Sequence, residues 1–161
     1  MAGRTGIYTS GANLLAGTTD LTSAALKILL MTPTYVPNFL TEQVVSTINT
    51  NEIANCGTYV RGQGQAGRIA LPGGKAITPN YTSGVVVFTS AGTPNWATVN
   101  ALANIGSAVI YVDTGTDSTS TLLACYEFST VGIVGGGGSF TITFSATPVA
   151  NTVIEFTHAA V

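Results

Sequence analysis

The chain carries very little charge. Of its 161 residues, five are basic and seven are acidic, about 7% of the total, whereas an ordinary soluble domain has roughly a quarter. The five basic residues are scattered along the sequence, so they form no patch that could neutralise phosphates, and we expect no nucleic-acid partner. Because 45% of the residues are hydrophobic and the net charge is only −2, the composition does not predict a disordered chain.

Long apolar runs and cysteine pairs are also missing. The best apolar stretch, residues 26–31, contains Lys27 and is far shorter than the roughly 18 residues of a membrane span, so we expect no membrane partner. The N-terminus has no apolar core and does not predict a secretory signal. Two cysteines, Cys56 and Cys125, are too few for a disulfide scaffold, and we expect two free thiols.

Hydroxyl side chains and glycine replace the missing charges. The sequence contains 26 threonines, 11 serines and 19 glycines, so the polar surface is expected to consist of hydroxyls, amides and backbone. A weakly charged surface keeps an isolated monomer poorly soluble. We therefore expect a chain that packs against other proteins or against copies of itself, as a homo-oligomer.

Short segments of β pattern dominate the sequence. Threonine and valine favour strands, and Gly, Pro and Asn separate the segments at regular intervals, which predicts an all-β fold, an antiparallel β-sandwich or jelly-roll-like barrel. We expect at most one or two short helices, near residues 9–16 and 40–48. Residues 1–19 are predicted to form an extended N-terminal arm, and residues 20–161 a single all-β domain. The expected strands are 24–32, 58–61, 68–71, 75–78, 85–89, 108–113, 122–128, 140–146 and 152–157.

Two of these strands are apolar on both faces, residues 85–88 and 109–112. One face of each must meet the core, and the other must meet a second layer, a loop or a partner. Together with the N-terminal arm, we predict these strands as contact surfaces. Trp96, the only tryptophan, is expected to be a core or intersubunit anchor.

No motif in the sequence predicts catalysis or a cofactor. Residues 62–67 spell G-x-G-x-x-G, but a dinucleotide site needs a helix after that loop, and Pro72 prevents one, so we interpret it as a glycine loop between strands. His158 is the only histidine and has no partners at metal-ligand spacing. We therefore expect no catalytic, cofactor-binding or metal-ligating residues and no enzyme activity.

One three-residue match keeps an enzymatic alternative open. Asp113-Thr114-Gly115 follows an apolar strand and resembles the signature of aspartic proteases. That chemistry needs two aspartates sharing a proton, so the chain would have to act as a homodimer using Asp113 from each copy. The interpretation we favour is a hairpin turn, in which Asp and Gly are common; Asp117 in the same turn fits it.

The order of motifs along the chain resembles small tailed-bacteriophage virion structural proteins of the capsid decoration, or cement, type. No single motif is specific; the ordered set carries the resemblance across residues 13–157. Its members are NLLAG at 13–17, DL at 20–21, KILLM at 27–31, YVP at 35–37, NE at 51–52, GTY at 57–59, Trp96, YVDTGT at 111–116 and the Gly-rich, Thr-alternating segment 135–144. The sequence departs from the pattern after Tyr59, where the family continues with Gly-Gly.

The resemblance implies a function without chemistry. A protein of this type binds the lattice of the major capsid protein on the capsid surface of the virion, stabilises the head, and is made in the host cytoplasm. The family has no catalytic residues to transfer. The alternative within the virion is a tail, fibre or vertex module with a host-binding role.

Overall fold

The computed structural model describes residues 6–16, 20–80, 85–90, 92–99, 104–128, 133–134, 138–142 and 152–157. Within these ranges the chain is mostly antiparallel β-structure with little helix, so the all-β prediction is confirmed. The strands are β1 (Gly6–Ile7), β2 (Leu26–Met31), β3 (Ile69–Ala70), β4 (Lys75–Asn80), β5 (Val85–Ser90), β6 (Asn95–Trp96), β7 (Asn104–Ile105), β8 (Ser107–Val112), β9 (Thr121–Glu127), β10 (Ile133–Val134), β11 (Phe140–Thr141) and β12 (Thr152–Thr157). The helices are α1 (Thr9–Ala16) and two 3₁₀ turns, Val45–Thr47 and Asn49–Asn51.

A five-stranded antiparallel sheet organises the described part of the chain, in the order β1-β9-β8-β2-β3. Strand β2 pairs with β8 along its whole length, from Leu26 opposite Val112 to Met31 opposite Ser107. The predicted hairpin of residues 108–113 and 122–128 is confirmed as β8 and β9. The other sheets are β12-β5-β4, β10-β7 and β11-β6.

Both faces of the five-stranded sheet are covered. Alternate side chains of β2 point to opposite faces: Ile28 and Leu30 join a cluster with Tyr59, Trp96 and Phe140. The other face carries a second cluster, whose members include Leu29, Met31, Val109, Tyr111, Leu122 and Cys125, packed with Tyr8, Tyr35, Val45 and Ile48. A register shift in the β8–β9 pair after Ile110 has the character of a bulge and places Leu122 and Cys125 on the same face.

This arrangement corrects one predicted contact surface. Val109, Ile110 and Tyr111 are at most 1% exposed, because β8 lies between β2 and β9 and has a core on each side. The second apolar face of residues 109–112 therefore meets the chain's own loops and not a partner. The side chains of the other predicted surface, residues 85–88, lie outside those that the structure describes.

The N-terminal residues are docked on the sheet. The predicted helix at 9–16 is confirmed as α1, and β1 pairs with β9 at the sheet edge, Gly6 opposite Cys125 and Ile7 opposite Ala124. Tyr8 between them is fully buried. Residues 6–16 are thus a strand and a helix packed on β9, where the sequence suggested an extended arm.

Most of the remaining predicted strands are present, but two predicted elements are not. The regions predicted as strands that do contain one are 24–32 with β2, 68–71 with β3, 75–78 with β4, 85–89 with β5 and 152–157 with β12. The expected strand 58–61 is wrong: Gly57 has a φ of +61°, and Cys56 and Tyr59 close a tight turn through a hydrogen bond from Tyr59 N to Cys56 O. The helix expected at 40–48 is replaced by the two 3₁₀ turns. Of the expected strand 140–146, residues 143–146 fall among those not described.

Candidate functional site

The glycine loop at 62–67 ends against the core. Gly62 and Gly64 adopt positive φ angles of 109° and 73°, which glycine adopts without steric cost. Gly67 lies against the ring of Tyr59, and its carbonyl accepts a 2.7 Å hydrogen bond from Trp96 Nε1. The strand β3 follows the loop, so the helix that a dinucleotide site requires is replaced by a strand.

Asp113 lies directly after β8 and is held by a cation. Its carboxylate is 2.7 Å from Lys27 Nζ and accepts hydrogen bonds from Gln63 Nε2 at 2.8 Å and from Gly115 N at 3.2 Å. Partial burial alone would raise the pKa of Asp113, but these donors outweigh it and hold the pKa below its ordinary value. A carboxylate kept charged by a lysine fits the turn interpretation better than a proton-sharing catalytic pair.

A buried ion cluster, formed by Glu52, Arg68 and Asp117, lies beside that turn. Arg68 Nη2 is 2.6 Å from Glu52 Oε2, and Arg68 Nη1 is 2.5 Å from Asp117 Oδ1. The side chains of Arg68, Glu52 and Asp117 are 1%, 0% and 18% exposed. Burial by itself would lower the pKa of Arg68, but the hydrogen bonds to the two carboxylates raise it, so the guanidinium stays charged.

Polar neighbours connect this ion cluster to three loops and to the sheet. Tyr59 donates from its hydroxyl to Glu52 Oε1 at 2.8 Å and accepts from Leu30 N of β2 at 3.1 Å. Burial raises the pKa of Tyr59 well above its ordinary value, so the phenol remains a donor. Asn49 Nδ2 donates to Asp117 Oδ2 at 3.1 Å. The cluster therefore fastens residues 49–52, the glycine loop and the turn at 113–120 together.

The ion cluster has no donor left for a ligand. Arg68 donates from Nε and Nη2 to Glu52, and from Nη1 and Nη2 to Asp117. A guanidinium whose nitrogens are all engaged and buried binds no further anion. The cluster thus acts as a structural clasp, although it brings together the two regions, residues 62–67 and 113–117, that carried the sequence motifs.

A second polar network braces the opposite edge of the sheet. The hydroxyls of Tyr8 and Tyr35 are 2.6 Å apart, and Tyr35 donates to Glu42 Oε2 at 2.7 Å. Asn38 N donates to the same carboxylate oxygen at 2.9 Å. Burial raises the pKa values of both tyrosines, which keeps the phenols protonated. This phenol network, Tyr8-Tyr35-Glu42, fixes the segment 35–42 against the N-terminal residues.

The braced segment displays two apolar side chains to solvent. Val36 is 61% exposed and Leu40 is 77% exposed, and they are the large hydrophobic side chains most open to water among the described residues. Asn38 Oδ1 accepts hydrogen bonds from Leu40 N and Thr41 N, both at 3.2 Å, and Glu42 N donates to Asn38 O. We call Val36 and Leu40 the apolar tip.

The remaining candidates are placed as follows. Cys56 and Cys125 are not joined in a disulfide, as predicted, and both are buried. Burial raises the pKa of Cys125 to about 12, so its thiol is unreactive at neutral pH. Trp96 is 2% exposed in the core. His158 lies outside the described residues.

Over the described ranges, no group of three His, Cys, Asp or Glu side chains could hold a metal ion. No helix there has the length and apolarity needed to cross a bilayer.

Sequence reasoning missed both networks and the apolar tip. Glu52 and Arg68 are 16 positions apart, and no local spacing pairs them. The only signal in the sequence was its small number of charged residues, 12 in all. Because a buried charge needs a partner, any charged residue in the core had to pair with one of the few others. For the apolar tip, no sequence signal separates the exposed Val36 and Leu40 from their neighbours Tyr35 and Phe39, which pack against the core.

Comparison with protein-family models, with curated proteins and with solved structures finds no match to this chain.

Proposed function

We propose that this chain is a bacteriophage virion structural protein, a capsid decoration protein that binds the lattice of the major capsid protein and stabilises the head. The ordered motifs across residues 13–157 point to this class. The apolar tip is the structural observation that carries the proposal, since Val36 and Leu40 are presented on a loop held by hydrogen bonds. The protein would work on the capsid surface, as a small homo-oligomer, after synthesis in the host cytoplasm.

The physical properties of the chain suit repeated weak contacts. A preorganised loop loses little conformational entropy on binding, and a surface poor in charge loses little solvation when it is covered. Repetition over a lattice multiplies the strength of a weak contact through avidity. We include in the proposal a sandwich or jelly-roll arrangement of the sheets, supported by the antiparallel pairing of the described strands.

Copy number tests the function directly. Quantitative mass spectrometry of purified source particles should give a ratio to the major capsid protein near or somewhat below one to one. A few copies per hundred would overturn the decoration role in favour of a tail, fibre or vertex module. Absence from the particles would overturn the virion role altogether, and acid-pH peptide cleavage that is lost in Asp113→Asn would then support the protease.

A variant pair tests the apolar tip. Leu40→Asp places a charge on the exposed tip and should lower occupancy on decorated particles by about tenfold, the size expected for a central apolar contact. Ala66→Asp adds the same charge at another exposed position, in the glycine loop, and should leave occupancy unchanged. Equal occupancy of the two variants would remove the tip from the binding surface.

A further inference from the structure

The N-terminal segment, residues 6–16, is seated on one continuous strip of the molecule. Tyr8 N donates to Leu123 O at 3.1 Å and Thr9 N donates to Phe39 O at 2.8 Å. Ser10 Oγ donates to Leu122 O at 2.9 Å. These acceptors belong to β9 and to the braced segment 35–42. Residues 6–16 thus cover the edge strand β9, on which β1 forms the last strand of the sheet.

The seat is shaped for this segment. The Tyr8 side chain is fully buried and reaches the Tyr35 hydroxyl. Gly11 lies so close to β9 that a Cβ at this position would overlap Leu123 O. A tyrosine to fill the pocket and a glycine three positions later to allow the close approach are both required, so the seat selects its occupant.

The same seat fits the N-terminal segment of a second copy. If the segment leaves, the edge of β9 and the Tyr8 pocket are uncovered, and an uncovered edge favours pairing with another strand. An identical segment from a neighbour restores the same contacts, which is the basis of domain swapping. Only three residues, 17–19, separate Ala16 from Asp20, and short connections favour exchange. The segment carries no charged residue, so no repulsion opposes a second copy.

We propose that residues 6–16 are exchanged between two copies of this chain, each seated on β9 and the braced segment of the other. The inference rests on the proposed function in one respect, namely that the chain forms a homo-oligomer. The experiment below is done in solution without particles, so its failure leaves the copy-number result untouched.

A directed disulfide between two different full-length chains tests the exchange. One chain carries Gly6→Cys, Cys125→Ala and Cys56→Ala; the other keeps Gly6 and Cys125 and carries Cys56→Ala. Gly6 and Cys125 are directly opposed in the β1–β9 pair, so their Cα atoms are close enough for a disulfide. The first chain has no thiol partner of its own, so any bond joins two copies. The chains are refolded together, oxidised and separated without reductant.

The matched control moves the new thiol by one residue. Ile7→Cys replaces Gly6→Cys in the first chain, and Ile7 packs against the cluster on the other face of the sheet from Cys125. Exchange predicts roughly tenfold more linked pairs for Gly6→Cys than for Ile7→Cys, because only the first thiol faces Cys125. Equal and low yields from both variants would overturn the proposal.

A second measurement needs no substitution. Wild-type chains labelled with ¹³C and unlabelled chains are refolded together, and isotope-filtered NMR detects contacts between different copies. Exchange predicts contacts between the Tyr8 ring of one copy and Leu122 of the other, which belong to the same cluster. Only intramolecular Tyr8 contacts, at a protein concentration where the oligomer forms, would contradict exchange.

Discussion

The two polar networks hold loops against the same sheet, but they differ in the number of charged groups they contain. The ion cluster has three charged side chains, whereas the phenol network has one. The ion cluster places a guanidinium and two carboxylates where their side chains are 1%, 0% and 18% exposed. The phenol network uses two neutral hydroxyls and one carboxylate that also accepts from a backbone N–H. Removing one charge from a buried cluster leaves another uncompensated, whereas removing a hydroxyl costs only hydrogen bonds. The ion cluster is therefore the less tolerant of the two.

The largest effect should come from Arg68→Met. It leaves the fully buried Glu52 carboxylate without its cation, which typically costs about 3–5 kcal/mol of the free energy of unfolding. Urea denaturation measures the loss. The double variant Arg68→Met with Glu52→Gln serves as the control and should recover part of the stability. A loss under about 1 kcal/mol for Arg68→Met would mean that the cluster is not the clasp we describe.

Gly11→Ala should damage the phenol network without touching the ion cluster. The new Cβ would overlap Leu123 O, which is backbone, so we expect α1 to move and to disturb the contact of Tyr8 with Tyr35. We expect a loss of about 1–3 kcal/mol, as for other overpacked sites. Ala12→Ser, at the exposed neighbouring position, is the control. Unchanged stability and unchanged Tyr8 resonances in Gly11→Ala would contradict the close docking of α1.

Tyr35→Phe should cost less, about 1–2 kcal/mol, because it removes the hydroxyl between Tyr8 and Glu42 but no charge. A double-mutant cycle with Tyr8→Phe separates the hydroxyl pair from the rest of the network. A favourable coupling energy is expected. Strict additivity of the two substitutions would show that the 2.6 Å contact contributes no interaction of its own.

The smallest effect should come from Lys27→Met, which removes the partly exposed partner of Asp113. Near neutral pH the loss should be below about 1 kcal/mol. Because the pKa of Asp113 is lowered in the folded chain, its stabilisation is present above the ordinary pKa of 3.8 and disappears as pH falls through the folded value. The difference between Lys27→Met and the wild type should therefore shrink as the pH falls below 3.8 and vanish once Asp113 is protonated in the folded chain. A difference that grows on acidification would contradict this pairing.

Prediction from sequence worked where the information is local. An apolar run ended by prolines identified β2, apolar runs joined by a Thr-Gly-Thr-Asp turn identified the β8–β9 hairpin, weak alternation identified β12, and the Leu14-Leu15 cluster identified α1. It failed at 58–61, where apolar Tyr59 and Val60 imitate a strand, although Gly57 and the contact of Tyr59 with Glu52 impose a turn. Contacts such as Arg68 with Glu52 and Asp117 join residues 16 and 49 positions apart, and no periodicity encodes them.

The sequence by itself determined the class of fold and the character of the surface, because strand formation depends on local side-chain alternation and charge content depends on composition alone. Only the tertiary structure decided which apolar strand faces were free. Residues 109–112 are apolar on both faces, and loops distant in sequence cover the second face. Val36 and Leu40 stay exposed, although hydrogen bonds fix their segment against the N-terminal residues. Which surface is left for a partner follows from how distant segments pack, and that packing is a property of the whole chain.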